Sequence, residues 1–174
     1  LLKINSELSQ ILDPQELYSL LGDTIVKKIS ARTFSVFAYH RNTKTFQLEY
    51  RHGYGKENRE FQYTDVGSFW DELFKNKPFS IYDVGGETRH PDIVAKYHLD
   101  ELDAGWVVPL IKRNNIIGFL AIGDKENGES FADHELIFLQ QIAAHAAVCI
   151  NSSHFSLKRK REREELDRTL HNLS

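Results

Sequence analysis

The sequence predicts an α+β domain: a central antiparallel β-sheet, covered on both faces, with helices at both ends of the chain. Three observations carry this. Gly105 to Asp124 holds two nearly continuous apolar runs, Trp106 to Ile111 and Ile116 to Ile122, joined by Lys112-Arg113-Asn114-Asn115. Two β-branched segments of strand length bracketed by turn chemistry read as a hairpin, and Asn tolerates the left-handed backbone that a tight connection demands. Neither run alternates apolar with polar residues, so both faces of this hairpin are predicted to be buried, at the centre of a sheet. Helical periodicity at each end of the chain supplies one cover.

In chain order, Leu1, Ile4, Leu8 and Ile11 are spaced 3, 4, 3, the seam of a short coiled coil or of a helix laid on a bundle, and Leu12 closes it. Asp13-Pro14-Gln15-Glu16 gives an N-cap acid, proline at the first helical position and Glu three after the cap. The helix it starts carries Leu17, Leu20, Leu21, Thr24, Ile25 and Ile29 on one face, to be packed on the sheet. Thr33 to Tyr39 reads as a strand, and His40-Arg41-Asn42-Thr43-Lys44 as a turn. Thr45 to Tyr50 reads as a strand with Phe46, Leu48 and Tyr50 on one face and a wet opposite face, ended by Gly53 and Gly55.

Phe61-Gln62-Tyr63 reads as a short strand, Ser68 to Asn76 as a short amphipathic helix, and Pro78 to Tyr82 as a strand leading into the turn Asp83-Val84-Gly85-Gly86. Thr88 to Asp103 is irregular or loosely helical. After the hairpin, Asp124 to Gly128 turns, and Asp133 opens a long helix through Leu136, Ile137, Leu139, Ile142, Ala143, Ala146, Cys149 and Ile150. No Gly or Pro follows Ser156, and Lys158, Lys160 and Arg161 each stand four residues before an acid, so the helix is predicted to run on as a solvated extension. Leu166, Leu170 and Leu173 then resume an apolar seam.

Composition bounds the function. With 174 residues and 41% apolar content the chain suits one domain with extensions, and a formal charge of −3 gives no whole-chain case for nucleic acid or anionic membrane. The absence of a membrane-length apolar run or signal pattern, with a single cysteine, reads as a soluble, cytoplasmic chain without a disulfide framework. A sequence without Met that begins inside a heptad-like run is expected to be part of a longer polypeptide.

The order of elements, with Val-Val-Pro-Leu at 107 to 110, Ile-Ile-Gly-Phe-Leu-Ala-Ile at 116 to 122, Ile81-Tyr82-Asp83 before a variable middle, and Phe131-Ala132-Asp133 opening an Ala- and Ile-rich helix, resembles a GAF domain. The resemblance covers roughly Asp13 to Phe155. It divides the chain into a linker helix at 1–12, a GAF domain at 13–155 and a signalling-helix linker at 156–174. It implies a PAS-like antiparallel sheet with the terminal helices on one face and an irregular α/loop segment over a ligand pocket on the other. Such domains regulate a neighbouring output, for instance in sensor histidine kinases and cyclic-dinucleotide enzymes, so the chain itself is not expected to be an enzyme.

The ligand stays open. A cyclic nucleotide fits a partial signature, with Asp124-Lys125, Phe131 and Asp133-His134-Glu135 at the matching positions. Bilin attachment needs a pocket cysteine, whereas Cys149 stands on the exit helix, and free methionine sulfoxide reduction needs several. The exit helix lacks the family's Ser or Thr cap, with Ala132 in that place, so Ser130 with Asp133 is the expected substitute box.

The aromatic set Phe37, Trp70, Tyr82, Tyr97 and Trp106, with His90 and His98 in the irregular middle, forms the candidate ligand-binding group. Aromatic walls with a few polar groups suit a planar, partly apolar molecule; the alternative is that these rings fill a second core. Trp106 and Val108 share a face opposite to Val107, and Trp106 is expected on the pocket side. Neither histidine is singled out as a haem ligand. His145 and Cys149, four apart on one helix, lack further metal ligands at matching spacing and read as core. Gly53-Tyr54-Gly55-Lys56 lacks the spacing of a phosphate loop, and no catalytic pattern stands out. The expected partners are an unknown small molecule, a second copy meeting it as a homodimer through the terminal helices, and a covalently attached output domain, with no nucleic acid and no membrane contact. The alternative is a ligandless dimerisation and relay module.

Overall fold

The computed structural model describes residues 2–52, 59–62, 68–83, 85–96 and 98–173. Leu1, Gly53, Gly55, Tyr63, Val84 and Tyr97 lie outside them. Helices α1 (Leu2–Gln10) and α2 (Pro14–Ile29) lead into β1 (Phe34–His40), β2 (Thr45–Arg51) and β3 (Arg59–Gln62). Then come α3 (Ser68–Phe74), β4 (Phe79–Ser80), α4 (Pro91–Lys96), β5 (Trp106–Lys112), β6 (Asn115–Ile122) and α5 (Asp133–Leu173). The six strands form one sheet in the order β3-β2-β1-β6-β5-β4, every pairing antiparallel. This is the predicted α+β arrangement, with the 105–124 hairpin supplying β5 and the central β6.

The hairpin closes through Arg113 and Asn114 alone, since Lys112 already pairs with Asn115. Their φ values of 49° and 62° are the left-handed pair of a type I′ turn, whose twist matches that of the strands it joins. Both faces are buried as the unbroken apolar runs require. Val108, Leu110, Leu120 and Ile122 join the core under the helices, while Val107, Ile116, Phe119 and Ala121 join a second core on the opposite face.

Helices α1, α2 and α5 cover the first face. Asp13 caps α2 by accepting from the Gln15 N–H at 2.9 Å, with Pro14 in the first turn. The α2 face includes Tyr18 and Gly22 besides the predicted leucines and isoleucines. A Cβ on Gly22 would come within 2.9 Å of the Phe34 ring, so glycine here lets helix and sheet approach. The α1 seam is that of a helix laid on a bundle: Leu8 is fully buried, and Ile4 and Ile11 pack against the same core. Of the apolar residues that the long exit helix runs through, Ile137 is 54% exposed, whereas Leu139, Ile142, Ala143, Ala146 and Ile150 are buried.

Two expectations are corrected. Tyr50 does not share a face with Phe46 and Leu48. The pairing shifts between Val36 and Phe37, so that Glu49 has no partner across from it, and this bulge turns Tyr50 to the helical core while Phe46 and Leu48 stay in the second one. The α5 start is held by Glu135, whose Oε1 accepts from the Ala132 N–H at 2.9 Å, and not by a Ser130–Asp133 box. Lys125 Nζ lies 3.1 Å from both Glu135 carboxylate oxygens and fixes that side chain in place.

The second face is covered by α3, α4 and the connections around them. The strand predicted over Pro78 to Tyr82 is reduced to Phe79–Ser80, because Tyr82 turns away to bridge Thr88. Helix α3 stops at Phe74, and Asn76 beyond it is left-handed at φ 55°.

At the sheet centre β1 and β6 approach so closely that a Cβ on Gly118 would lie 1.9 Å from the Phe37 carbonyl oxygen. The obstructing atoms, of Phe37 and Ala38, are all backbone, so none can rotate aside. Gly118→Ala is therefore expected to cost about 3 kcal/mol or more, read as a lower urea midpoint at unchanged m-value; a loss under about 1 kcal/mol would show that the strands separate freely.

Candidate functional site

Three of the sequence-predicted residues come together in the second core. Phe37 is fully buried and stacks on Phe119, with ring centroids 4.6 Å apart at 13°. Phe119 is met edge-on by Phe46 at 5.2 Å and Phe69 at 5.4 Å. Trp70, half-buried on α3, sets its edge against Tyr39, Phe46 and Phe74. His90, at the start of α4, lies 6.0 Å from both Phe69 and Phe79 and is 8% exposed. Its burial holds the imidazole pKa below the usual histidine value; the Glu72 carboxylate pulls the other way, and Arg89, ion-paired to Glu72, offsets it. Aromatic pairs of this kind add about 1 kcal/mol each beyond area burial. The described part of this layer is thus a well-packed aromatic core.

The remaining candidates do not join it. Tyr82 is 36% exposed. His98 is exposed, left-handed at φ 51°, with Nδ1 3.3 Å from Glu101. Tyr97 lies outside the described residues. Trp106 corrects the expectation outright. It does share a face with Val108, opposite to Val107, but that face is the helical one, where its ring sits 6.0 Å from Phe131 at the approach to α5. Alternation fixed which residues go together; the side was set by Phe131, a contact across 25 residues of chain that no local pattern carries.

The helical face holds a polar cluster that sequence reasoning missed. His40 Nε2 lies 2.8 Å from Glu49 Oε1, and Gln15 Nε2 donates to the Glu49 carbonyl at 3.1 Å. Tyr18 Oη and His154 Nε2 share a 2.8 Å hydrogen bond. Burial, reinforced by the Glu49 charge, pushes the Tyr18 hydroxyl far above its usual range, so it remains a donor. Burial also lowers the His154 pKa, against the pull of Glu49 and with the help of His40. Tyr18 accordingly donates to a neutral His154. The missed signal was Glu49 itself, an acid between Leu48 and Tyr50 on the face read as wet, whose inward turn depends on the bulge.

Beside this cluster two adjoining grooves open against α5, one of about 810 Å³ at the tips of the β1–β2 and β5–β6 hairpins and one of about 760 Å³ between α5, the α1–α2 connection and the β1–β2 pair. None of the sequence-predicted site residues lines either one. Elsewhere on α5, His145 Nε2 makes contacts of 3.0 Å to the Asn5 carbonyl, 3.1 Å to Ser9 Oγ and 3.5 Å to Cys149 Sγ, and burial raises the thiol pKa. The cysteine is a buried packing residue, as expected. Among the described residues no group of three or more His, Cys, Asp or Glu side chains is placed to hold a metal ion.

Residues 11–151 match the family model of the GAF domain. A 56-residue stretch is 41% identical to diguanylate cyclase A of Treponema denticola; it makes up 32% of this chain and 15% of the cyclase, so the chain spans only a small part of that protein's length. Among solved structures, residues 122 to 287 of a methyl-accepting chemotaxis protein give a TM-score of 0.67 at 15% identity, over 87% of this chain and 97% of that one. The GAF domain of a phosphoenolpyruvate-protein phosphotransferase from Coxiella burnetii gives 0.65 at 18% identity, over 88% of this chain and 92% of that one. At these identities the two structures share the fold.

The depressed His154 and His90 pKa values carry a signed consequence. Each group binds protons less readily folded than unfolded, so its contribution is complete above the unfolded value of 6.5 and declines as pH falls below it. Melting temperature is expected to fall between about pH 7.5 and 5.5, and His154→Gln, which still accepts from Tyr18, to make that fall shallower. An unchanged pH slope in the variant would contradict the assignment.

Proposed function

The chain belongs to the GAF domain family, and from that premise we propose that it is the regulatory sensory module of a signal-transduction protein. It works as a homodimer and passes its state through its terminal helices to a covalently attached output domain. Its likeness to parts of a cyclase, a chemotaxis protein and a phosphotransferase supports a regulatory place in signalling.

One observation carries the relay. Helix α5 runs unbroken from Asp133 to Leu173, 41 residues, with no interruption at the expected 155/156 domain edge. Its first half is a structural cover of the sheet, through Leu139, Ile142, Ala146 and Ile150. Its last part leaves the domain and exposes Leu166, Leu170 and Leu173 at 58%, 56% and 80%. A change in how the helix sits on the sheet is therefore transmitted along one rigid element. The three leucines are spaced 4 and 3, the seam that a parallel second copy covers.

The stacking of Phe37 on Phe119 favours the ligandless reading of the second core, since a planar ligand there would have to displace that pair. A small-molecule input through Phe37, Trp70 and His90 is the competing reading. Titrating nucleotides and metabolites while following Trp fluorescence and melting temperature separates them: no ligand response that is lost in Trp70→Leu is expected, and one such response would restore the aromatic pocket.

For the dimer, sedimentation of the chain is expected to show a dimer that dissociates on Leu166→Glu with Leu170→Glu, by a factor of at least about 100 in the dimerisation constant. A wild-type monomer at high concentration would refute the helical interface.

A further inference from the structure

We propose that the groove at the root of the projecting helix is a binding site for a small polyanion bearing at least two phosphate groups, held between both hairpin tips and α5. The pairing of Ala38 with Gly118 brings the end of β1 beside the start of β6, so the β1–β2 and β5–β6 turns lie at the same end of the sheet. Helix α5 crosses that end with Asn151, His154 and Lys158 facing the groove. Segments far apart in sequence thereby form one concave wall.

The lining charge is one-sided. Arg41, Lys112, Arg113 and Lys158 line the larger groove, in which no acid stands among the described residues. Lys160 and Arg161 continue the set into the adjoining groove, which shares His40, Gln47, His154 and Lys158 with it. The adjoining groove also carries two carboxylates, Glu49 beside His40 and Asp13 accepting from the Gln15 N–H, so the uniformly basic lining is that of the larger groove. Among the described residues, none of these cations has an ion-pair partner, not even the acids that follow Lys158, Lys160 and Arg161 by four on α5.

A chain with a net charge of −3 that gathers six of its 22 Lys and Arg residues around one concave region focuses a positive potential there. Arginine forks and lysine ammoniums from different walls suit phosphate oxygens, and Asn42, Thr43, Asn115 and Asn151 add neutral hydrogen-bonding groups. The volume of about 810 Å³ lies within the range of small-molecule sites. The charged wall is closed on one side by the helix, which suits a compact ligand better than an extended polymer or a flat bilayer.

A ligand here would join the tips of the sheet to the helix where it leaves the domain. That consequence, unlike the binding itself, rests on the relay reading.

The test uses the full chain at fixed ionic strength, titrated calorimetrically with inorganic pyrophosphate, triphosphate and a nucleoside triphosphate. Saturable binding is expected, weakened about tenfold by Arg41→Glu and by Lys158→Glu, which alter opposite walls at exposed positions. Lys27→Glu, on the exposed last turn of α2, is expected to leave affinity unchanged. No saturation at millimolar polyphosphate would overturn the site, as would equal weakening by Lys27→Glu. Tighter binding to RNA or to anionic phospholipid vesicles than to triphosphate would overturn the ligand class. Hydrogen exchange of residues 151–161 with and without triphosphate reads the relay separately: slowed exchange supports it, whereas binding with unchanged exchange refutes the coupling and leaves the site standing.

Discussion

Everything in this fold depends on the close seam between β1 and β6. The pair forms the middle of the sheet, and at Gly118 the strands lie too near for any side chain. From that line the residues part to two sides: Phe34, Val36, Leu120 and Ile122 towards the helices, Phe37, Phe119 and Ala121 towards the second layer. Because side chains alternate strictly between faces, one seam sets the register of both cores at once, and a slip of one residue would empty both. The same register brings the two hairpin turns side by side, so the basic groove is a by-product of core packing rather than a separate construction.

Much of the frame was legible because it is local. The apolar runs on either side of Arg113-Asn114, the Asp13-Pro14 helix start and the continuity of α5 past Ser156 are all written in neighbouring residues, and the structure bears each of them out. Where reading failed, a distant contact or a break in periodicity decided. Tyr50 changed faces because one bulge at Glu49 resets the count, and period-two reasoning has no term for an inserted residue. Trp106 changed sides because two equivalent assignments of an alternating strand are separated only by what covers it, here Phe131. The α5 cap moved to Glu135 because Lys125, ten residues upstream, holds the carboxylate in position.

The candidate site was less legible than the fold for a related reason. Aromatic residues announce burial without announcing what they are buried against, so Phe37, Trp70 and His90 could be placed together without deciding between a wall and a filling. The cationic groove draws its residues from two hairpin ends and a helix, each unremarkable alone: Arg41 reads as a turn residue, Lys112 as part of the connection between two apolar runs, Lys158 as part of a solvated face. Only the fold shows that they converge. Hydrophobic patterning therefore recovers layers, while sites made by convergence of short polar segments stay hidden until the topology is known.

The length of α5 has a mechanical meaning. At about 1.5 Å per residue the helix is roughly 60 Å long, and the part beyond residue 157 reaches about 25 Å past the domain. On the proposed relay it acts as a lever, with its fulcrum where the helix leaves the sheet near His154. A tilt of about 10° at that fulcrum displaces the far tip by roughly 4 Å, with no strain taken up along the way. Each residue along the stem also turns its side chain by about 100°, so the bearing of the proposed output domain would be set by a count of residues as much as by any contact. On that proposal, amplification and aim both come from one uninterrupted helix, and a small adjustment at the domain would be felt at a distance.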